Sequence, residues 1–274
     1  MRGTGPSDAE GFAERFDPFN DQGSLEEEMS ARSLMELTRR EMLTVMASAG
    51  VATFVGVEST TEGEAMADSM TTPPAYRGSH EPKPLPFDPS KLRGLSEKLL
   101  RSHHENNYTG AVKRLNLIQQ QLGQMPKDAP PYQTGSLKRE ELIATNSMVL
   151  HEFYFGNLGG DGKPSGTIAD LITAQYGSMG TWEQEFRQTG LSLAGGSGWV
   201  VLAFDPHEKA THTYWLWDHA HSLAWGTPLL VMDMYEHAYA MDYGANAKSY
   251  IDAFFQNIQW DEVSRRAEQA KARC

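Results

Sequence analysis

With a single cysteine, Cys274, this 274-residue chain has no means of building a zinc–thiolate or iron–sulfur site. It also lacks paired cysteines for disulfides. That neither favours nor opposes export, because a chain of this length can bury a core without them. Positive charge is scarce: 24 Lys and Arg stand against 36 Asp and Glu, a formal net charge of −12, which disfavours nucleic acid as a partner. Long apolar runs are missing too. Thr44 to Val57 is uncharged, but it is short and rich in Ala, Gly and Thr, so no stable membrane span is expected. No Ser or Cys nucleophile stands in a recognisable hydrolase motif, and no internal repeat is visible.

The charge that is present is unevenly placed. Residues 1 to 67 hold 13 acidic and 5 basic residues, a net −8 of the −12, which leaves −4 for the remainder. An anionic substrate can still be guided to such a body by basic residues at a mouth, since steering depends on the local field. Residues 1 to 30 are acidic, Gly-rich and aperiodic, a composition expected of disorder. Arg39-Arg40, the apolar stretch after them and Ala65-Met-Ala67 resemble a twin-arginine export signal. The expectation is a periplasmic or extracellular protein. If the Arg pair is incidental on a surface amphipathic helix, the chain is cytoplasmic. Prolines 73, 74, 82 and 84 mark residues 68 to 84 as a linker.

The remaining pattern predicts an α+β fold, with a helical hairpin over 85–160 packed on an α/β domain over 161–274 that contains a three-stranded antiparallel sheet. One long helix is expected from 88 to 122, interrupted near Gly94, then a loop over 126–135 and a returning helix over 138–157. Gly159 to Pro164 is rich in turn residues. Helices follow over 166–176 and 181–193, strands over 199–204, 211–217 and 228–233, and helices near 244–257 and 260–271.

Within that frame, the apolar run from Pro228 ends on Asp233, and His237 follows four residues later. A carboxylate at the end of a buried strand needs a partner, and a metal is one that suffices. If the chain turns into helix there, Asp233 and His237 share a face. Alone, that spacing is explained as well by a helix cap and a core histidine. Two other helical patterns carry His103-His104 and His151. Three imidazole sources and a carboxylate from separate elements fit a redox-active iron or manganese ion.

Here the chain resembles the iron/manganese superoxide dismutase family, over roughly Leu85 to Arg266. The resemblance rests on Leu85-Pro-Phe87, His103 with Val112 and Leu115-Asn116 downstream, and His151-Glu-Phe-Tyr154-Phe. It extends to Gly196-Ser-Gly-Trp199, Asp233-Met-Tyr-Glu236-His237-Ala-Tyr and the tail Tyr250-Ile to Trp260-Asp-Glu-Val263. It implies one Fe or Mn ion per subunit, held by His103, His151, Asp233 and His237, with Trp199 and Tyr154 walling the pocket. It implies dismutation of superoxide to dioxygen and hydrogen peroxide, and a homodimer in which Glu236 bridges to the partner's ligand histidine.

Departures from the family pattern are specific. Ala111 stands where a mouth tyrosine is usual, and Asn107 replaces a histidine, with Tyr108 beside it to fill part of the space. Tyr235 replaces a tryptophan and Ala240 a tyrosine. The glutamine that hydrogen-bonds solvent at the metal is Ser147 here, too short to reach. Trp217-Asp-His219-Ala-His221 resembles relatives that use a sheet histidine, so His219 is expected in that role and His221 is the alternative. Ala111 and Asn107 also leave room for a different reading, an exported metal-binding protein with weak or no catalytic activity.

The export reading has a direct test. Changing Arg39-Arg40 to Lys-Lys should leave unprocessed chain in the cytoplasm, and N-terminal sequencing of the mature form should begin at or near Asp68. An unchanged distribution on cell fractionation would remove the twin-arginine reading.

Overall fold

The computed structural model describes residues 72–224 and 226–273, all of them inside the compact unit that spans residues 63–274. The acidic leader, Arg39-Arg40 and the Ala65-Met-Ala67 site lie outside the described residues. Among the described residues no helix is long and apolar enough to cross a membrane.

The chain enters as an extended strap with 3-10 turns at Pro74–Tyr76 and Pro89–Lys91. Helix α1 (Glu97–Ser102) passes without a break through a π-helical turn, His103–Tyr108, into α2 (Thr109–Gly123). The helix expected from residue 88 therefore starts nine residues late. Gly94 takes φ +74, which stops helical propagation. Ser96 then sets the start, its hydroxyl accepting from Leu99 N at 3.1 Å. The returning helix α3 (Pro131–Gly156) begins seven residues earlier than expected, because Pro131 at its first position is pre-organised for helix and has no amide to orphan.

Helices α4 (Thr167–Tyr176) and α5 (Met179–Leu191) lead to β1 (Gly198–Asp205), β2 (Ala210–Trp217) and β3 (Thr227–Asp233). The sheet is antiparallel in the order β2-β1-β3. The β1 strand is buried on both faces as far as Phe204, so its apolar run lacks the alternation of a half-exposed strand. Past β3 the chain makes a 3-10 turn, Glu236–Ala238, and not the α-helix that would by itself put Asp233 and His237 on one face. Tyr235 is extended, with φ −69 and ψ 147, and that brings His237 back beside Asp233. The short α6 (Ala240–Tyr243), α7 (Ala247–Gln256) and α8 (Trp260–Ala272) close the fold. Gly244 at φ +55 and the Asn246 cap delay α7 relative to the expected residue 244.

Two buried amides fasten this architecture. Asn157, just past α3, accepts from Val231 N at 2.9 Å and donates to Val231 O at 3.2 Å, covering the open edge of β3 beside the metal-ligand candidate Asp233. Asn257 does the same for the strap, accepting from Arg93 N at 2.9 Å and donating to Arg93 O at 2.7 Å. Replacing Asn157 with Leu should leave two buried backbone groups of β3 unpaired and lower stability by about 1–3 kcal/mol. Urea denaturation of the variant checks this; an unchanged midpoint would show that the edge is not held by the amide.

Candidate metal centre

The fold gathers four side chains from three regions at one point. The π-turn contributes His103, α3 contributes His151, and the end of β3 with the following turn contributes Asp233 and His237. One ligand atom from each lies within 4.8 Å of the others. Asp233 Oδ2 is the common neighbour, 3.1 Å from His103 Nε2, 3.6 Å from His151 Nε2 and 3.3 Å from His237 Nε2. His103, His151 and Asp233 are buried, and His237 is about one quarter exposed.

Several of these atoms lack hydrogen bonds. Both ring nitrogens of His103 and Nε2 of His151 are buried without a partner of hydrogen-bonding geometry. His103 thus touches Asp233 closely but out of alignment. Orphaned imidazole nitrogens converging on a carboxylate are the donor set of a cation, and among buried groups such orphans are rare for any other reason. Burial pushes the His151 imidazole down to about 3, helped by the neighbouring His103. Burial lowers His103 as well. For Asp233 burial acts to raise the carboxyl, but His237 and His103 outweigh it and hold it well below the usual carboxylate range. Neutral imidazoles and an ionised carboxylate are the protonation states a metal requires.

The surroundings orient the ligands. His151 Nδ1 donates to the carbonyl of Ser147 at 2.6 Å, leaving Nε2 to face the cluster. Ser147, too short to reach solvent at the metal in place of a glutamine, acts through its backbone, and its hydroxyl sits 3.4 Å from the same nitrogen. Asp233 Oδ1 accepts from Tyr235 N at 2.8 Å, and the Asp233 carbonyl accepts from the Tyr250 hydroxyl at 2.6 Å. The Tyr154 hydroxyl lies 3.3 Å from that of Tyr250, and its ring centroid is 5.3 Å from that of His103. Trp199 stands edge-to-face on His151 at 5.0 Å. Trp199 and Asp233 are paired across the β1–β3 ladder, so strand register itself brings indole and carboxylate together.

His219 and His221 separate clearly. His219 Nδ1 accepts from Trp199 Nε1 at 3.1 Å, and its ring lines a cavity of about 300 Å³ together with Ala111, Ser147, His151 and His237. His221 is exposed, bonded to the backbone of Trp217 at 3.0 Å and not among the residues that line the cavity. Asn107 and Ala111 line the mouth, so both departures fall on the access path. Tyr108 does not fill the gap. Its hydroxyl turns away, accepting from Lys83 N at 2.8 Å and donating to Glu152 at 3.1 Å. Arg114 also borders the mouth, paired with Glu140, and supplies a local cation that the sequence pattern did not single out. No local sequence pattern ties Tyr250 to the Asp233 carbonyl, which lies seventeen residues before it. Glu236 is exposed, one residue before His237.

Two other features resemble sites less well. A hollow of about 460 Å³ between the strap, α3 and α8 has most of its basic groups paired, Lys83 to Glu152 and Arg265 and Arg266 to Glu262, with Arg273 at its rim. Asp205, Glu208 and His212 also cluster, but at an exposed hairpin where His212 and Glu208 satisfy each other at 2.9 Å.

Comparison with known proteins points the same way. The profile of the iron/manganese superoxide dismutases, C-terminal domain, matches residues 164–266. A protein of Cupriavidus metallidurans named superoxide dismutase [Fe] is 53% identical over 188 residues, 68% of this chain and 95% of its own. Superoxide dismutase [Fe] of Aquifex aeolicus is 34% identical over 203 residues, covering 70% and 94%. Superoxide dismutase [Mn] 1 of Halobacterium salinarum is 32% identical over 199 residues, covering 71% and 98%.

The electrostatics fix the sign of an acid effect. His103 and His151 have depressed values when folded, so below about 6.5 the unfolded state takes up protons that the folded state refuses. Stability of the metal-free protein should fall with pH from there, by roughly 1.4 kcal/mol per unit per histidine. Asp233 adds a later loss, below its usual value of 3.8. Urea midpoints measured between pH 7.5 and 5 should drop steeply, and less steeply for His151→Gln. A flat wild-type profile would contradict the assigned protonation states.

Proposed function

Because this chain belongs to the iron/manganese superoxide dismutase family, we propose that His103, His151, Asp233 and His237 hold the one iron or manganese ion at which it dismutates superoxide. The observation that carries the assignment is the convergence of orphaned imidazole nitrogens on the Asp233 carboxylate. A bound iron or manganese ion supplies reversible one-electron exchange, oxidising one superoxide to dioxygen and reducing the next to hydrogen peroxide.

The remaining chemistry belongs to the chain's own residues. The Ser147 carbonyl fixes the His151 tautomer, and the Tyr235 amide and Tyr250 hydroxyl hold Asp233 from both its side chain and its backbone. Trp199 and Tyr154 exclude water from the buried side. His219, with Nδ1 occupied by the Trp199 indole, keeps its proton on Nε2 and presents a donor to the cavity. Peroxide formation consumes protons, so this donor sits where one is needed. Ala111 leaves the mouth without a phenol, which widens access and removes one proton relay.

We also propose a homodimer, supported by the exposed Glu236 carboxylate next to the partly exposed ligand His237. A carboxylate placed there can accept from the outer nitrogen of the same histidine in a second copy. Export through the Arg39-Arg40 segment remains part of this proposal. Nothing in the site favours a fold kept for metal binding without turnover.

Superoxide dismutation and elemental analysis, measured on the same preparations, test the assignment. Asp233→Ala should lose the metal and the activity together. His219→Ala should keep the metal and lose activity about 10–100-fold, as for other groups that act on a metal through solvent. Ala111→Tyr should raise turnover at high superoxide with metal content unchanged. Full occupancy in Asp233→Ala would sink the ligand set.

A further inference from the structure

Resting on the reading of His219 as the proton-bearing group at the cavity, we propose that Asp218 and Tyr235 are positioning residues that fix the plane of the His219 imidazole and so keep Nδ1 aligned on the Trp199 indole that sets its tautomer. One hydrogen bond, from the Trp199 indole to Nδ1 at 3.1 Å, pins a single point of the ring. About that point the ring is free to tilt, and a tilt would swing Nε2 away from the cavity. The plane is fixed by Tyr235, whose ring lies 4.5 Å from that of His219 at an interplanar angle of 15°. The same phenol ring is 5.1 Å from His237 at 18°, so one slab sets both imidazoles parallel.

Tyr235 is itself held at two points. Its amide donates to Asp233 Oδ1 at 2.8 Å, and its hydroxyl donates to Asp218 Oδ1 at 3.3 Å. Asp218 completes the loop, because the same carboxylate oxygen accepts from the His219 amide. Its backbone is one of two non-glycine positions with positive φ among the described residues, at +63, a conformation disfavoured for most side chains and better tolerated by Asp. Asp218 N donates to Ser197 O at 2.9 Å, anchoring the turn to the segment that leads into Trp199. The left-handed turn folds the carboxylate back over the next amide and within reach of the phenol. A tryptophan at 235 would supply the slab but no hydroxyl for Asp218 to hold.

The test uses full-length Tyr235→Phe, Asp218→Ala and Asp218→Asn, with metal content measured for each. In protein loaded with zinc as a diamagnetic substitute, the His219 ring nitrogens of the wild type should give two widely separated ¹⁵N resonances, as expected for a single tautomer. That separation should collapse by half or more in Tyr235→Phe and Asp218→Ala. It should survive in Asp218→Asn, which keeps an acceptor and tolerates the same φ. In the iron- or manganese-loaded enzyme, the first two variants should shift the midpoint potential in the direction of His219→Ala, and Tyr235→Phe should add nothing on the His219→Ala background.

Unchanged ring resonances in both metal-replete variants would overturn the proposal, as would a Tyr235→Phe potential shift that persists in full without His219. If the resonances collapse but His219→Ala leaves the potential unaltered, the positioning stands and the proton-bearing role given to His219 falls.

Discussion

The structure depends on one buried charge. Asp233 ends β3 with its carboxylate entirely out of water, a placement whose desolvation must be offset locally or the group would simply take up a proton. Three imidazoles approach one of its oxygens, an amide bonds the other, and a tyrosine hydroxyl bonds its carbonyl. His103, His151 and Tyr250 arrive on three separate elements while Tyr235 and His237 come from the turn after β3, so folding correctly and collecting these groups are the same event. In the absence of a cation the arrangement still leaves imidazole nitrogens unanswered, which makes ion binding a folding term as well as a catalytic one.

The sheet and helices serve this point by register. Trp199 faces Asp233 across the ladder, the bulge after Leu202 lies further from the cluster, and Asn157 covers the free edge of β3 so that the strand end does not fray. The second layer of contacts is less regular. It is built from a 3-10 turn, a π-turn and a left-handed Asp218, each of which departs from ideal geometry where a side chain must be aimed.

The sequence was legible where chemistry and periodicity coincide. The strand ending on Asp233, the helix through His151 and the β1–β2 hairpin follow from residue pattern, and the four donor types are scarce enough to stand out. The break near Gly94 is where the sequence places it, but helix starts differ where backbone conformation decides, as at Pro131 and Gly244. Asp233 and His237 would share a face if the chain turned into α-helix after β3; it runs through an extended Tyr235 into a 3-10 turn instead, and the two side chains still meet. Asp218 and Asn157 were invisible for a different reason. Their roles are set by partners far along the chain or by a positive φ, and neither leaves a mark on local composition.

The π-turn has a consequence best seen as a phase. Successive residues of an α-helix are about 100° apart around its axis, so in an unbroken helix Leu115 would sit about 120° away from His103. One residue absorbed in the wider turn removes about 100° of that, bringing Ala111, Leu115 and Ile118 to within roughly 40° of His103. All three are buried, as is His103. The ligand and the apolar stripe that docks α2 on α3 therefore share one face only because the helix carries a single surplus residue. Deleting one residue between 104 and 107 would leave a more regular helix that could aim its histidine or bury its stripe, but not both.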